Sequence, residues 1–281
     1  MIYRELPELQ KEISRLRKNN RSIGFVPTMG ALHQGHLSLV SKALAQNDVV
    51  IVSIFVNPTQ FDRAGDLKNY PRTVDADARL LGTLQGTILI YVPTPEEVYK
   101  GEVKAKKYRF GGLEHQMEGK FRDGHFDGVG TVLNLLFRSL TPHKAYFGEK
   151  DFQQLQIVRK LVEIEKLPIE IIGCPIAREP HGMAMSSRNK RLSQTQFKEA
   201  ALIHQTLSQV QKDFSERSIP QLKHWVEQAF AQNPHLELEY FEIAAVKNLR
   251  PALRKRSGND YRAFIAAFAG EVRLIDNMDL A

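Results

Sequence analysis

The stretch Phe25-Val26-Pro27-Thr28-Met29-Gly30-Ala31-Leu32-His33-Gln34-Gly35-His36-Leu37-Ser38-Leu39 decides how the chain is read. An apolar run over residues 23–26 ends in Pro27 and enters a short turn punctuated by glycine. Leu37, Leu39, Val40 and Leu44 then recur as one face of a helix. The pattern predicts a strand, a tight turn and a helix start. Unpaired N–H groups and the positive end of the helix dipole favour an anion at such a place. His33 and His36 flank Gly35 there, where a ligand can come close to the backbone.

The bulk composition narrows the field around that stretch. With 281 residues and 42% hydrophobic content, the chain can bury one large domain with an appendage, or two unequal domains. The balance of 39 basic against 32 acidic residues, a net charge of +7, suits a binder of nucleotides, acidic metabolites or nucleic acid. The densest basic stretches, residues 104–109 and 250–256, are short and, with Tyr108 as their one aromatic, lack the interleaved stacking residues of a single-strand binding platform; they read as solvated surface. One cysteine, Cys174, forms no intrachain disulfide and points to a reducing compartment. The N-terminal residues do not read as a secretion signal, and no apolar run is long enough to cross a bilayer. A soluble, cytoplasmic protein is expected.

Working outward, Leu6, Leu9, Ile13 and Leu16 share one side of a first helix. After the opening stretch, residues 49–56 and 87–92 read as buried strands, with a helix between them from an N-cap at Thr73 to Leu84. Residues 98–128, dense in glycine, read as loop with one edge strand. A helix at 129–140, a short strand at 145–147, a helix at 151–165 and a strand at 169–174 follow. Strands alternating with helices imply right-handed crossovers and a parallel sheet of five or six strands. Beyond it come long helices at 194–214 and 219–231 and strand-like runs at 236–245, 262–269 and 272–275, the last two joined by Gly270-Glu271 as a two-residue hairpin. The fold class is therefore α/β: a Rossmann-like parallel-sheet domain over residues 1–176 and a smaller α+β domain over residues 177–281.

Ligands of an open parallel sheet bind outside the carboxyl ends of its strands. After the first strand stand Thr28, Met29, His33 and His36, and after the second Asn57-Pro58-Thr59-Gln60. After the strand at Tyr146 come Gly148-Glu149-Lys150-Asp151-Phe152-Gln153-Gln154, and after the last Ala177-Arg178 and Met185-Ser186-Ser187-Arg188-Asn189. Each segment also admits a plain reading. His33 and His36 can be a helix cap beside a surface residue, and they form half a metal site with no third ligand at a usual spacing. Lys150 with Asp151 can be an ordinary surface pair, residues 186–189 a simple turn, and Gln60 and Gln154 surface amides. In combination the two glutamines suit hydrogen bonding to a small hydroxy acid without adding charge.

Taken together, residues 26–36, residues 53–61, Tyr70-Pro71-Arg72-Thr73, residues 147–154 and Met185-Ser186-Ser187-Arg188-Asn189 resemble the pantoate–β-alanine ligase family, in order and as far as the closing Arg273-Leu274-Ile275-Asp276-Asn277. That family belongs to the nucleotidyltransferases with the His-x-Gly-His motif. Residues 185–188 stand for the superfamily's second, Lys-Met-Ser-Lys-Ser signature.

The resemblance implies that pantoate and ATP form pantoyl adenylate and pyrophosphate, with Mg²⁺ required, and that β-alanine then displaces AMP to give pantothenate. It implies ATP contacts from Met29, Gly30, Ala31, Leu32, His33, Gln34, Gly35 and His36, with His36 in the proton-donor position. Gly148, Glu149, Lys150, Asp151 and Ala177 would hold adenine and ribose, Lys150 also reaching the phosphates. Met185, Ser186, Ser187 and Arg188 would hold the pyrophosphate. His36, His33, Lys150 and Arg188 are the expected catalytic residues. Gln60 would serve pantoate and β-alanine, Gln154 pantoate, and Asp77 the metal. Arg122 is a further candidate for a phosphate contact, and the segment that carries it, residues 111–128, has a lid-like composition. A homodimer through the N-terminal domain is implied, with no nucleic-acid or membrane partner. Two positions depart from the family pattern: Ala76-Asp77 stands where two acidic residues are common, and His181 precedes Gly182 where an acidic residue is common. Another nucleotidyltransferase of the superfamily, or an RNA-binding relative of the synthetases, are the alternative readings.

Overall fold

The computed structural model describes residues 1–61, 64–68 and 70–280. Two compact units divide the chain, Met1–Pro175 and Ile176–Ala281.

The first unit is built on six strands: β1 (Ile2–Tyr3), β2 (Ile23–Thr28), β3 (Val49–Ile54), β4 (Thr87–Tyr91), β5 (Lys144–Gly148) and β6 (Glu170–Cys174). Their order across the sheet is β1-β4-β3-β2-β5-β6, and every pairing is parallel. Helices follow the strands, so the central strands are covered on both faces and read as continuous apolar runs; every residue of β3 is buried. Val26, Val50, Val52 and Ile90 pack with Leu37 and Val40 of the helix Gln34–Gln46 in one core cluster. The two-residue β1, which pairs with Ile90 and Tyr91, is too short to leave a hydrophobic pattern.

After β2 the chain steps to one side, to β3 and β4, and then returns to the other side for β5 and β6. The reversal opens a crevice at the carboxyl ends of β2 and β5, the position at which doubly wound sheets take their ligands.

The structure corrects the reading of residues 98–128 as loop with an edge strand. Among the described residues no strand lies there; instead come a short turn of helix at Leu113–His115, a helix at Met117–Phe121, and the long helix His125–Leu140, which starts before Val129. Tertiary contacts hold this segment. The Glu114 carboxylate accepts the N–H groups of Phe110 and Gly112 at 3.1 and 2.9 Å. The buried Gln153 amide donates to the carbonyls of Leu113 and Gln116, both at 2.8 Å, and accepts from the Glu118 N–H at 3.1 Å. At Gly128 a Cβ would stand 2.2 Å from the Thr59 carbonyl oxygen, so only glycine lets this helix lie against the turn after β3.

In the second unit the helices Ala201–Asp213 and Ile219–Ala231 pack on an antiparallel sheet, β7 (Glu237–Ala245), β8 (Tyr261–Ala269) and β9 (Val272–Asp279), in the order β7-β8-β9. Ile203, Leu207, Val226 and Phe230 meet Ile243, Ala263, Ile265 and Ala267 in its core. The single helix expected at 194–214 is two, Gln194–Glu199 and Ala201–Asp213, because the Ile203 N–H bonds the Ala200 carbonyl in a tighter turn at the junction. Gly270 takes φ +62° in the hairpin between β8 and β9, as that tight turn requires.

Candidate active site

The turn after β2 is shaped by groups from neighbouring elements. The Thr28 hydroxyl donates to the Ser53 carbonyl at 2.7 Å and accepts from the Gly30 N–H at 3.2 Å. Gly30 and Ala31 both have positive φ, +84° and +51°, and a left-handed alanine persists only where its surroundings impose it. Asp77 imposes it. Its buried carboxylate accepts the Ala31 N–H at 3.1 Å on Oδ2 and the Leu32 N–H at 2.8 Å on Oδ1. The Thr73 hydroxyl stands 3.2 Å from each oxygen. Three donors, two N–H groups and one hydroxyl, thereby engage the two oxygens of the carboxylate.

The two histidines form the helix cap, and the cap fixes their tautomers. His33 Nδ1 accepts the Gly35 N–H at 3.1 Å, and His36 Nδ1 accepts the His33 N–H at 3.3 Å. Each ring therefore carries its proton on Nε2. The rings lie 4.1 Å apart between centroids. Burial pushes the His36 imidazole down to about 4; Asp151 opposes that shift and Lys150 adds to it. At neutral pH His36 is accordingly an uncharged hydrogen-bond donor.

Two other segments meet the same edge of the sheet. Gln60, in the turn Pro58–Gln60 after β3, approaches Met29 Sδ with its Nε2 at 2.9 Å. The turn Glu149–Asp151 after β5 brings Lys150 and Asp151 near enough to act on His36, with Lys150 Nζ 3.5 Å from Asp151 Oδ1. Gln154 lies half-buried in the helix Phe152–Ile164.

The second unit carries the remaining candidates. The Met185 N–H bonds the Ala177 carbonyl at 2.9 Å, and Arg178 pairs with Ala184 in an isolated antiparallel bridge. The Arg178 guanidinium holds that hairpin to β9 through Asp276 Oδ2 and Oδ1, at 2.6 and 3.1 Å, and also donates to the Gly182 carbonyl. Ser186 caps the turn Ser187–Arg191 by accepting the Arg188 N–H at 3.2 Å, and Arg188 is exposed.

The sequence profile described as Pantoate-beta-alanine ligase matches residues 1–279. The chain belongs to the pantoate–β-alanine ligase family. Among its relatives, a pantothenate synthetase of Christiangramia forsetii is 52% identical over 279 residues, covering 99% of both chains. A pantothenate synthetase structure from Thermus thermophilus superimposes with a TM-score of 0.91 at 37% identity over 99% of each chain. The Francisella tularensis pantoate–β-alanine ligase, solved with β-γ ATP and β-alanine, superimposes at 0.81 with 35% identity over 100% of this chain and 97% of that one. Family membership sets aside both alternative readings of the sequence.

Within the first unit, residues 29–36, Gln60, Asp77 and residues 148–151 come together at the carboxyl edge of the sheet. Ala177 and residues 185–188 gather in the second unit around the hairpin pinned by Arg178. Both oxygens of Asp77 bond N–H and O–H donors of the turn, so its carboxylate is first of all the support of residues 30–32. Among the described residues no group of three or more His, Cys, Asp or Glu is arranged to hold a metal ion. Arg122 Nη2 donates to the Gln60 carbonyl at 3.3 Å, and its Nη1 lies 3.2 Å from His125 Nε2. Sequence reasoning gives no role to Asn57, Tyr99, His125 or Gln153. Asn57 and Gln153 lie inside motifs that carry the resemblance and could have been found; Tyr99 and His125 meet Asn57 and Gln60, which are remote from them in sequence.

Proposed function

We propose that the turn after β2 binds the triphosphate of ATP and that the first unit activates pantoate there as an acyl adenylate, which β-alanine then opens to pantothenate. The observation that carries this reading is the pair of imidazoles fixed as Nε2–H donors at a helix N-terminus, beside Lys150, in the crevice where the strand order reverses. Attack of a carboxylate oxygen on the α-phosphorus forms one P–O bond and breaks the bond to pyrophosphate. Anions must be brought together for this, so positioned donors and positive charge supply most of what the reaction needs.

In this reading residues 29–36 and Lys150 contact the phosphates, with His33 and His36 donating to oxygens whose charge grows as the bond breaks. A triphosphate beside His36 pushes its pKa back upward, which returns to it the capacity to give a proton to the departing group. Gly148, Glu149, Asp151 and Ala177 take adenine and ribose. Met185, Ser186, Ser187 and Arg188 take pyrophosphate. Gln60 and Gln154 hold pantoate, and Gln60 also serves β-alanine. Magnesium would come with the triphosphate and offset part of its charge; Asp77 acts on the phosphates through the turn it shapes. The enzyme works in the cytoplasm as a homodimer through its first unit; among the described residues no helix is long and apolar enough to cross a membrane.

The test is isotope exchange between pyrophosphate and ATP. Exchange that requires pantoate and proceeds without β-alanine is the expected result. Exchange absent with pantoate, or present only with β-alanine, would overturn the adenylate route.

A further inference from the structure

Asn57 is buried between β3 and the turn that carries Gln60, and its amide makes four contacts. Oδ1 accepts from the Tyr99 hydroxyl at 2.6 Å and from the Thr59 hydroxyl at 3.2 Å. Nδ2 donates to Gln60 Oε1 at 3.2 Å and to the Gly128 carbonyl at 3.4 Å. An amide's oxygen and nitrogen are told apart by their partners, and here one partner leaves no choice. The Gly128 carbonyl only accepts, so the atom facing it is the nitrogen. Oδ1 is then the atom facing the two hydroxyls, and the Gln60 atom facing Nδ2 is Oε1. The Gln60 Nε2 is left on the side of Met29, 2.9 Å from a thioether sulfur, which is a weak acceptor.

The backbone of Gln60 is held in the same way. Its carbonyl lies 2.9 Å from His125 Nδ1 and accepts from Arg122 Nη2. Tyr99 ends the short helix Pro95–Tyr99, outside every motif that marks the site, and Thr59 Oγ1 lies 2.7 Å from its hydroxyl. Burial raises the Tyr99 pKa, so its hydroxyl stays protonated as the donor this arrangement needs.

We propose that Tyr99 is a positioning residue for the acid substrate: through Asn57 it fixes the Gln60 amide with its N–H groups presented, so that Gln60 recognises an acceptor oxygen of the substrate and rejects a donor in that place. Without the tyrosine hydroxyl, Asn57 keeps the Gly128 carbonyl and the Thr59 hydroxyl but loses its shortest contact, so its amide and the Gln60 amide that depends on it are held less firmly. The inference rests on the reading of Gln60 as a substrate contact.

Tyr99→Phe keeps the ring and removes the hydroxyl. Pantoate binding by titration calorimetry in the presence of α,β-methylene ATP, together with steady-state KM values, gives the readout. The expected result is pantoate affinity about 10-fold weaker with the KM for ATP within about twofold of wild type, the size of one lost hydrogen bond to substrate. Thr59→Val gives the same split, smaller in size. In a Gln60→Ala background Tyr99→Phe then adds less than about twofold, because the two act on one contact. Equal loss in both backgrounds, or equal weakening of pantoate and ATP, would overturn the relay. Gln60→Ala that weakens pantoate while Tyr99→Phe does not would overturn the relay alone. Gln60→Ala without effect on pantoate would overturn the reading of Gln60, and the relay with it.

Discussion

The turn at residues 29–36 and the segment at residues 185–188 resemble the two signatures of the nucleotidyltransferase superfamily, and they are built in opposite ways. In the first, the N–H groups of Gly30, Ala31 and Leu32 are each held by a side chain, and two of the three bonds come from Asp77 on another element. In the second, the hold lies at the base: Arg178 pins the preceding hairpin to Asp276, while the exposed Arg188 donates its N–H to Ser186. Donors fixed before the ligand arrives cost no reorganisation during reaction, which suits the phosphate contact proposed for this turn. A long exposed guanidinium suits capture of an anion as it leaves. The contrast assigns preorganisation to the first unit and adaptability to the tip of the second.

Breaking the base of the second segment should have the largest effect. Arg178→Met leaves the Asp276 carboxylate, whose side chain is only 2% exposed, with the Asn277 N–H but without its cation. Removing one partner of a buried pair typically costs about 3–5 kcal/mol, to be read by chemical denaturation. A loss below about 1 kcal/mol would show that the hairpin does not depend on this pair. Next comes His36→Ala, expected to lower pyrophosphate exchange by at least ~10²-fold, as loss of a transition-state donor does; near-normal exchange would remove His36 from the phosphates.

Asp77→Asn replaces an acceptor of two N–H groups by an amide that has only one acceptor atom. We expect exchange to fall about 30-fold, from misplaced donors, with the magnesium concentration for half-maximal rate unchanged. A raised magnesium requirement at an unchanged maximal rate would make Asp77 a metal ligand after all. The smallest effect is on acid stability. The imidazole of His36 sits at about 4 in the fold against an ordinary 6.5, so the unfolded chain binds more protons between those values. The stabilising contribution is complete above pH 6.5 and is lost as pH falls toward 4. Discounted for partial exposure, it amounts to about 1.5 kcal/mol. The difference in unfolding free energy between wild type and His36→Gln, measured at about pH 7 and about pH 4.5, should change by that amount; a constant difference would contradict it.

How much of this is legible in the sequence follows from where each contact is made. The β2 turn is visible because Pro27, Gly30 and the helical spacing of Leu37, Val40 and Leu44 are local signals, and β3 is visible as an unbroken apolar run. The segment at residues 98–128 is not, because its order comes from Glu114 and Gln153 bonding main-chain groups and from the contact of Gly128 with Thr59. Asp77 stands out in the sequence as a carboxylate, but whether it faces a metal or a backbone depends on the turn packed against it. Tyr99 gives no signal at all; its meaning lies in Asn57, 42 residues away.

The central claim is that pantoate is activated at this site through its carboxylate oxygen, and oxygen tracing tests it most directly. Pantoate labelled with ¹⁸O in its carboxylate is turned over with ATP and β-alanine, and the products are weighed. The attacking oxygen stays on phosphorus when the amine of β-alanine takes the acyl carbon, so the account predicts one ¹⁸O in AMP and one in the new amide carbonyl. Label found in pyrophosphate or inorganic phosphate, with unlabelled AMP, would contradict it.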